Sequence, residues 1–174
     1  MRYLLLLLFP SLLFAVPINT RTPHSVEIRG GISSSNGNTN PMGSFLYQYF
    51  VSENWAVGAA VQPILISREL QGGSFLETTK QTITLIPVDF TMSYFFTMDS
   101  NLQPFIRGYI GPAVIRGAGS QENLFHAGIG GGFRYFFTDE IFASAELSGN
   151  AFLLQDKTRP QNGPFFQIGL GVAF

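Results

Sequence analysis

The chain closes on an alternation that runs to its last residue. Phe166, Ile168, Leu170, Val172 and Phe174 fall on one side, and Gln167, Gly169, Gly171 and Ala173 on the other. A period of two residues separates side chains onto opposite faces of a strand, so one face is large and apolar while the other is small or polar. That distribution suits a strand with lipid outside and a crowded lumen inside. A soluble barrel would put its apolar faces inward and carry charge outside, which the glycine-rich second face does not.

Composition supports the same solution. Asp, Glu, Lys and Arg make up 12% of the chain, about half the usual share of roughly 25%. The hydrophobic share is an ordinary 45%. No internal stretch approaches the roughly 18 consecutive apolar residues of a membrane helix. A chain too apolar for water and too interrupted for spanning helices fits a transmembrane β-barrel, in which each strand shows lipid only its alternate residues. The net charge of −1 argues against nucleic acid as a partner.

At the other terminus, Met1, Arg2 and Tyr3 precede an almost unbroken Leu and Phe run from Leu4 to Phe14, and Ala15 is a small residue at a plausible cleavage point. This is the pattern of a secretory signal peptide, and the apolar run is shorter than the roughly 20 residues a spanning helix needs. The expected organisation is a signal peptide at 1–15, a short periplasmic segment at 16–24 and a barrel at 25–174. The absence of cysteine removes disulfides, thiolate chemistry and a lipoprotein anchor.

Three segments share one grammar: an aromatic cluster, then Ser or Thr, then acidic turn residues, then an apolar restart. They are Tyr49, Phe50, Ser52, Glu53, Asn54; Tyr94, Phe95, Phe96, Thr97, Asp99; and Tyr135, Phe136, Phe137, Thr138, Asp139. They read as three tight turns on one rim, with the aromatics as an interfacial belt. Four more polar stretches, 33–43, 68–80, 117–123 and 155–164, read as loops on the opposite rim. Seven connections make eight strands, at 25–32, 44–51, 55–67, 81–96, 102–116, 124–137, 141–154 and 165–174. The even count is that of bacterial barrels. Pro63, Pro87 and Pro112 fall inside strands and each removes a ladder donor.

Alternation sends Glu27, Arg29, Asp89, Arg107, Arg134 and Glu146 into the lumen, beside Gln48, Gln62, Tyr109, His126 and Gln167. Three carboxylates and three guanidiniums in a barrel narrow enough to be filled by side chains predict an ion-pair network. Counting from the turn near Met98 places Asp89 beside Arg107. Counting from Gly119 or Ser120 brings Arg134 beside Arg107, with Glu146 diagonal to Arg134. As a structural element this network plugs the barrel; as a functional one it gates it.

Other chemistry is weakly signalled. His126 lacks a matching nucleophile, although Ser148 and Glu146 lie on the next strand. Gly128, Gly130, Gly131 and Gly132 continue into Phe133 and Arg134 as a strand, whereas a phosphate loop opens a helix. The two histidines, His24 and His126, are far apart and no acidic cluster has calcium-loop spacing. No cofactor or metal is expected. Arg68, Lys80, Arg116, Lys157 and Arg159 fall at the outer loops, where they could meet lipopolysaccharide phosphates.

Gln167, Gly169, Val172 and Phe174 also occupy the places of the C-terminal signal of bacterial outer-membrane β-barrels. The whole chain after the signal peptide resembles the small outer-membrane barrel family that includes the OmpA membrane domain, OmpX and Ail, and OmpW. This resemblance implies an eight-stranded antiparallel up-and-down transmembrane barrel in a Gram-negative outer membrane, delivered by a barrel-assembly machinery and monomeric. It also implies a structural or surface-interaction role among outer-membrane lipid and lipopolysaccharide, with a narrow channel for small or hydrophobic solutes as the alternative. Among outer-membrane barrels more widely, lipid A deacylases are a third, weaker precedent, since their His-x-Ser is His126, Ala127, Gly128 here.

Overall fold

The computed structural model describes residues 23–35, 38–71, 78–97, 101–117, 120–153 and 163–174. The signal peptide expected at 1–15 lies outside these residues. Nine strand segments follow one another: β1 His24–Ser35, β2 Asn38–Phe50, β3 Trp55–Val61, β4 Ile64–Gln71, β5 Thr78–Phe95, β6 Leu102–Gly117, β7 Ser120–Phe136, β8 Ile141–Leu153 and β9 Gly163–Ala173.

Sequential antiparallel pairing and a β1 to β9 closure make a barrel with no free edge. β3 and β4 are one strand position. Both pair with β2 on one side and β5 on the other, and the register runs through unshifted: Val61 faces Val88 and Ile64 faces Leu85. The interruption falls at Gln62 and Pro63, where the proline nitrogen has no proton to give. Counted this way the barrel has eight strands.

Alternation governs which face each residue takes. Ile28, Ile129, Leu147 and Leu170 are 60–71% exposed, and the outward residues around them, among them Phe45, Ile106, Ile110, Phe133, Phe166 and Ile168, are exposed and apolar as well. Such a continuous apolar band is what hydrocarbon covers in a transmembrane barrel.

Two expectations change. The stretches 33–43 and 117–123 are largely strand rather than loop: Ser35 pairs with Asn38 and Gly117 with Ser120. A hairpin that leaves the membrane no longer needs apolar residues outside, so its strand signal fades while its ladder continues. The aromatic clusters, in turn, are not wholly interfacial. Tyr94 and Phe96 lie on the outward face, but Phe50 and Phe95 point inward and are buried, because period two holds within each cluster as well.

The Ser and Thr of the turn grammar have a local use. Ser52 Oγ accepts from the Trp55 amide (3.1 Å), and Thr138 Oγ1 accepts from those of Ile141 (2.9 Å) and Glu140 (3.3 Å). Each hydroxyl thereby occupies amides that the turn leaves free.

Candidate functional site

The lumen is filled in tiers. At the turn rim Phe50, Ala56, Phe95 and Phe105 form an apolar floor, joined by the buried Phe142. Arg134 sits on this floor with its guanidinium 4.7 Å from the Phe95 ring centre and 4.3 Å from that of Phe142, while Arg107 lies 4.4 Å from Phe105. Desolvated contacts of this kind are worth about 2 kcal/mol.

Above the floor are the paired charges. Glu146 receives Arg29 Nη1 at 2.8 Å and Arg107 Nη1 at 2.6 Å on one oxygen. The Tyr109 hydroxyl donates to its other oxygen. Glu27 takes Arg134 Nη2 at 3.3 Å, lies 3.9 Å from Arg29 Nε, and accepts the Ser144 hydroxyl. Gln48 Oε1 receives both Arg134 and Arg107, and its amide nitrogen donates to Ser93 Oγ at 2.8 Å. Arg107 Nε also donates to Ser93 Oγ (2.8 Å), and Arg29 Nη2 to Ser44 Oγ (2.8 Å). All of these side chains are buried.

Five of the six residues expected in the network are therefore one connected cluster: Glu27, Arg29, Arg107, Arg134 and Glu146. Asp89 is not linked to it by any direct contact among the described residues. The β5–β6 register pairs Ser93, not Asp89, with Arg107, a shift of four residues from a turn centred on Met98. An even shift keeps every residue on its face and changes only the partner. On β7, Arg107 pairs with Gly130 and Arg134 with Gln103. Arg134 has Ser144 opposite on β8, and its carboxylate is Glu27 on the far wall rather than Glu146.

Asp89 belongs to a separate polar tier toward the loop rim. Its Oδ2 accepts Gln62 Nε2 (2.9 Å), and its Oδ1 meets His126 Nδ1 (2.7 Å). His126 Nε2 meets Asn150 Oδ1 at 3.0 Å, and Asn150 Nδ2 donates to Ser148 Oγ (2.9 Å) and to the Ser148 carbonyl (3.3 Å). Ser148 is thus bonded to Asn150 and does not meet the ring. Over this tier Met42, Ile64, Ile66, Leu85, Ala113, Leu124, Phe152 and Phe165 make an apolar roof. Alternation alone gave no hint of it, because a polar lumen is the general expectation. The inward positions of β4 and β5, Ile64, Ile66 and Leu85, carry the signal in retrospect.

The interior glycines make room for side chains. A Cβ on Gly169 would stand 2.5 Å from Arg29 Cγ, one on Gly130 2.9 Å from Glu146 Oε1, and one on Gly171 2.3 Å from the Phe142 ring.

In the terminal signal, Gln167 is buried and Gly169 faces inward against Arg29, while Val172 and Phe174 are exposed on the outer face. Phe174 and His24 exchange both backbone hydrogen bonds (3.0 and 2.9 Å), and their rings stack at 5.7 Å. Arg116 is exposed on the outward side of β6 near the loop rim. The backbones of Arg68 and Lys80 lie in the β4–β5 ladder. Lys157 and Arg159 lie outside the described residues.

No family model and no curated protein matches the chain. Solved structures do share its fold. The N-terminal β-barrel domain of Pseudomonas aeruginosa OprF aligns with TM-score 0.54 and 21% identity over 86% of this chain and 97% of that one. The outer membrane protein OprG of the same organism aligns at 0.57 and 13%, over 91% and 99%. Neisserial surface protein A aligns at 0.58 and 13%, over 86% and 94%. The chain has the fold of these small eight-stranded transmembrane barrels.

Proposed function

We propose that this protein is a closed barrel of a bacterial outer membrane, reached with a cleaved signal peptide, with a structural or surface-interaction role. The observation that carries this reading is the tiered lumen. An aromatic floor, a paired ionic layer and an apolar roof leave the barrel axis occupied by packed side chains and by charges already bound to each other. An ion entering would have to displace both. Two proteins that share the fold, the outer membrane protein OprG and Neisserial surface protein A, agree with it.

In this reading the loop rim faces lipopolysaccharide. Arg116 is the exposed cation on the described part of that rim, and Arg68, Lys80, Lys157 and Arg159 are the further residues for phosphate contact. Gln167, Gly169, Val172 and Phe174 are the signal handed to the assembly machinery. Hydrolysis is no part of this function, because His126 is buried beneath the roof and both of its ring nitrogens are engaged.

Liposome swelling tests the closed lumen. Proteoliposomes carrying the refolded mature barrel and diluted into isosmotic arabinose should swell no faster than protein-free liposomes. Swelling in proportion to the amount of barrel would replace this reading with the narrow-channel one.

A further inference from the structure

The ionic layer holds unequal charges. Glu27, Arg29, Arg107, Arg134 and Glu146 bring three guanidiniums to two carboxylates, an excess of one positive charge. Asp89 is the third buried carboxylate among the described residues, but it stands four residues along β5 from Ser93, the residue opposite Arg107, which is about 13 Å at the rise of a strand. Its two oxygens are taken by Gln62 and His126. A charge without a partner is expensive in a lumen wrapped by hydrocarbon, and a guanidinium does not shed its proton to escape that cost.

The excess falls between Arg29 and Arg134. Glu146 already accepts Arg29 and Arg107 on one oxygen and the Tyr109 hydroxyl on the other. Glu27 accepts Arg134 Nη2 on one oxygen and the Ser144 hydroxyl on the other. Arg29 Nε, 3.9 Å from Glu27 Oε1, is beyond hydrogen-bond length.

Unmet donors mark the same place. Arg29 Nε, Arg134 Nε and Gln167 Nε2 are buried with no hydrogen-bond partner among the described residues, and their side chains belong to residues no more than 2% exposed. Buried N–H groups are nearly always satisfied in folded proteins, so each calls for an acceptor. The ladder sets the three around one stretch of wall. Arg134 on β7 stands opposite Ser144 on β8, Ser144 opposite Gly169 on β9, and Gly169 opposite Arg29 on β1. Gln167 is the next inward residue of β9 after Gly169. Two small residues therefore separate the two arginines, and the Arg29 stem leans over the gap, its Cγ 2.5 Å from where a Cβ on Gly169 would stand. One acceptor nearby is also unmet, Gln103 Oε1, opposite Arg134 on β6. A water could join it to Arg134, but a water brings no charge.

We propose that the ionic layer binds one chloride ion over Ser144 and Gly169, held by the Nε–H groups of Arg29 and Arg134 with the Gln167 amide as third donor. One excess positive charge asks for a monovalent anion, and a halide accepts from several N–H groups without bringing a proton that would need an acceptor of its own. The ion is a constituent of the layer, taken up as the barrel closes, and the stability of the barrel follows its concentration.

The test uses the mature barrel in lipid vesicles, unfolded by urea in mixtures of sodium chloride and sodium gluconate at one ionic strength, gluconate being far larger than a halide. With one chloride bound on folding, each tenfold rise in chloride above its dissociation constant should lower the unfolding equilibrium constant about tenfold. Arg134→Gln removes the excess charge and should flatten that dependence. Crystals grown in bromide should show an anomalous peak between the Arg29 and Arg134 guanidiniums. A stability that stays the same as gluconate replaces chloride overturns the proposal on the wild-type protein alone, whether or not the variant folds. So does a chloride dependence that persists unchanged in Arg134→Gln, or a layer with no bromide in which a water joins Arg134 to Gln103.

Discussion

The turn-side and loop-side halves of this lumen are written in the same alternating code and filled by different physics. In the turn-side half Glu27, Arg29, Arg107, Arg134 and Glu146 are bound by charge, hydroxyls and aromatic faces. In the loop-side half Met42, Ile64, Ile66, Leu85, Leu124, Phe152 and Phe165 pack as a soluble core would. The contrast teaches that an inward-facing position in a narrow barrel is defined by enclosure and not by polarity. Wherever the lumen is filled, either chemistry satisfies it, provided that no charge is left without a partner.

The sharpest way to break the contrast is to take out the carboxylate on which two arginines meet. Glu146→Ala leaves Arg29 and Arg107 without their shared partner and should destabilise the barrel by about 3–5 kcal/mol, read as an earlier urea midpoint in vesicles. In the apolar half, Leu85→Ala removes buried volume and no charge. Its expected cost is about 2–5 kcal/mol, from lost packing alone. If Leu85→Ala were neutral, the roof would not be a packed core.

Outside the barrel the rule inverts. Ile129→Lys at the exposed centre of β7 places a charge in hydrocarbon and should cost about 2–4 kcal/mol, whereas the same substitution on a water-facing wall would be nearly silent. Gly130→Ala probes how tightly the ionic layer is fitted, since its Cβ would stand 2.6 Å from Ser148 Cβ. Overpacking there should cost about 1–3 kcal/mol. A neutral result would mean that the glycines leave free space beside Glu146.

Much of this was legible in the residues. Period two carried the outer face, the closure and the inward residues, because a lipid boundary enforces alternation on every strand. The terminal run from Phe166 to Phe174 shows it most plainly. Registers were harder, since tight turns fix them and a turn's length is not written in hydrophobicity. That is why Asp89 was expected beside Arg107 and instead meets His126. The cation–π floor escaped for another reason: Phe95 belongs to an aromatic cluster that reads as interfacial, yet its ring faces inward under Arg134. The roof was missed because Ile64, Ile66 and Leu85 alternate with other apolar residues, so neither face of that stretch looks like a lumen. The loop cations remain assigned by position along the chain, apart from Arg116, whose exposure is on view.

Single-channel recording in a planar bilayer tests the closed lumen most directly, with the wild-type barrel beside Arg107→Ala and with heat-modifiable migration showing that both are folded. A lumen sealed independently in its two halves gives no discrete openings in either protein, because the roof stays intact when the ionic layer is cut. Openings in the wild type would contradict a closed barrel, and openings confined to Arg107→Ala would make the ionic layer the sole gate.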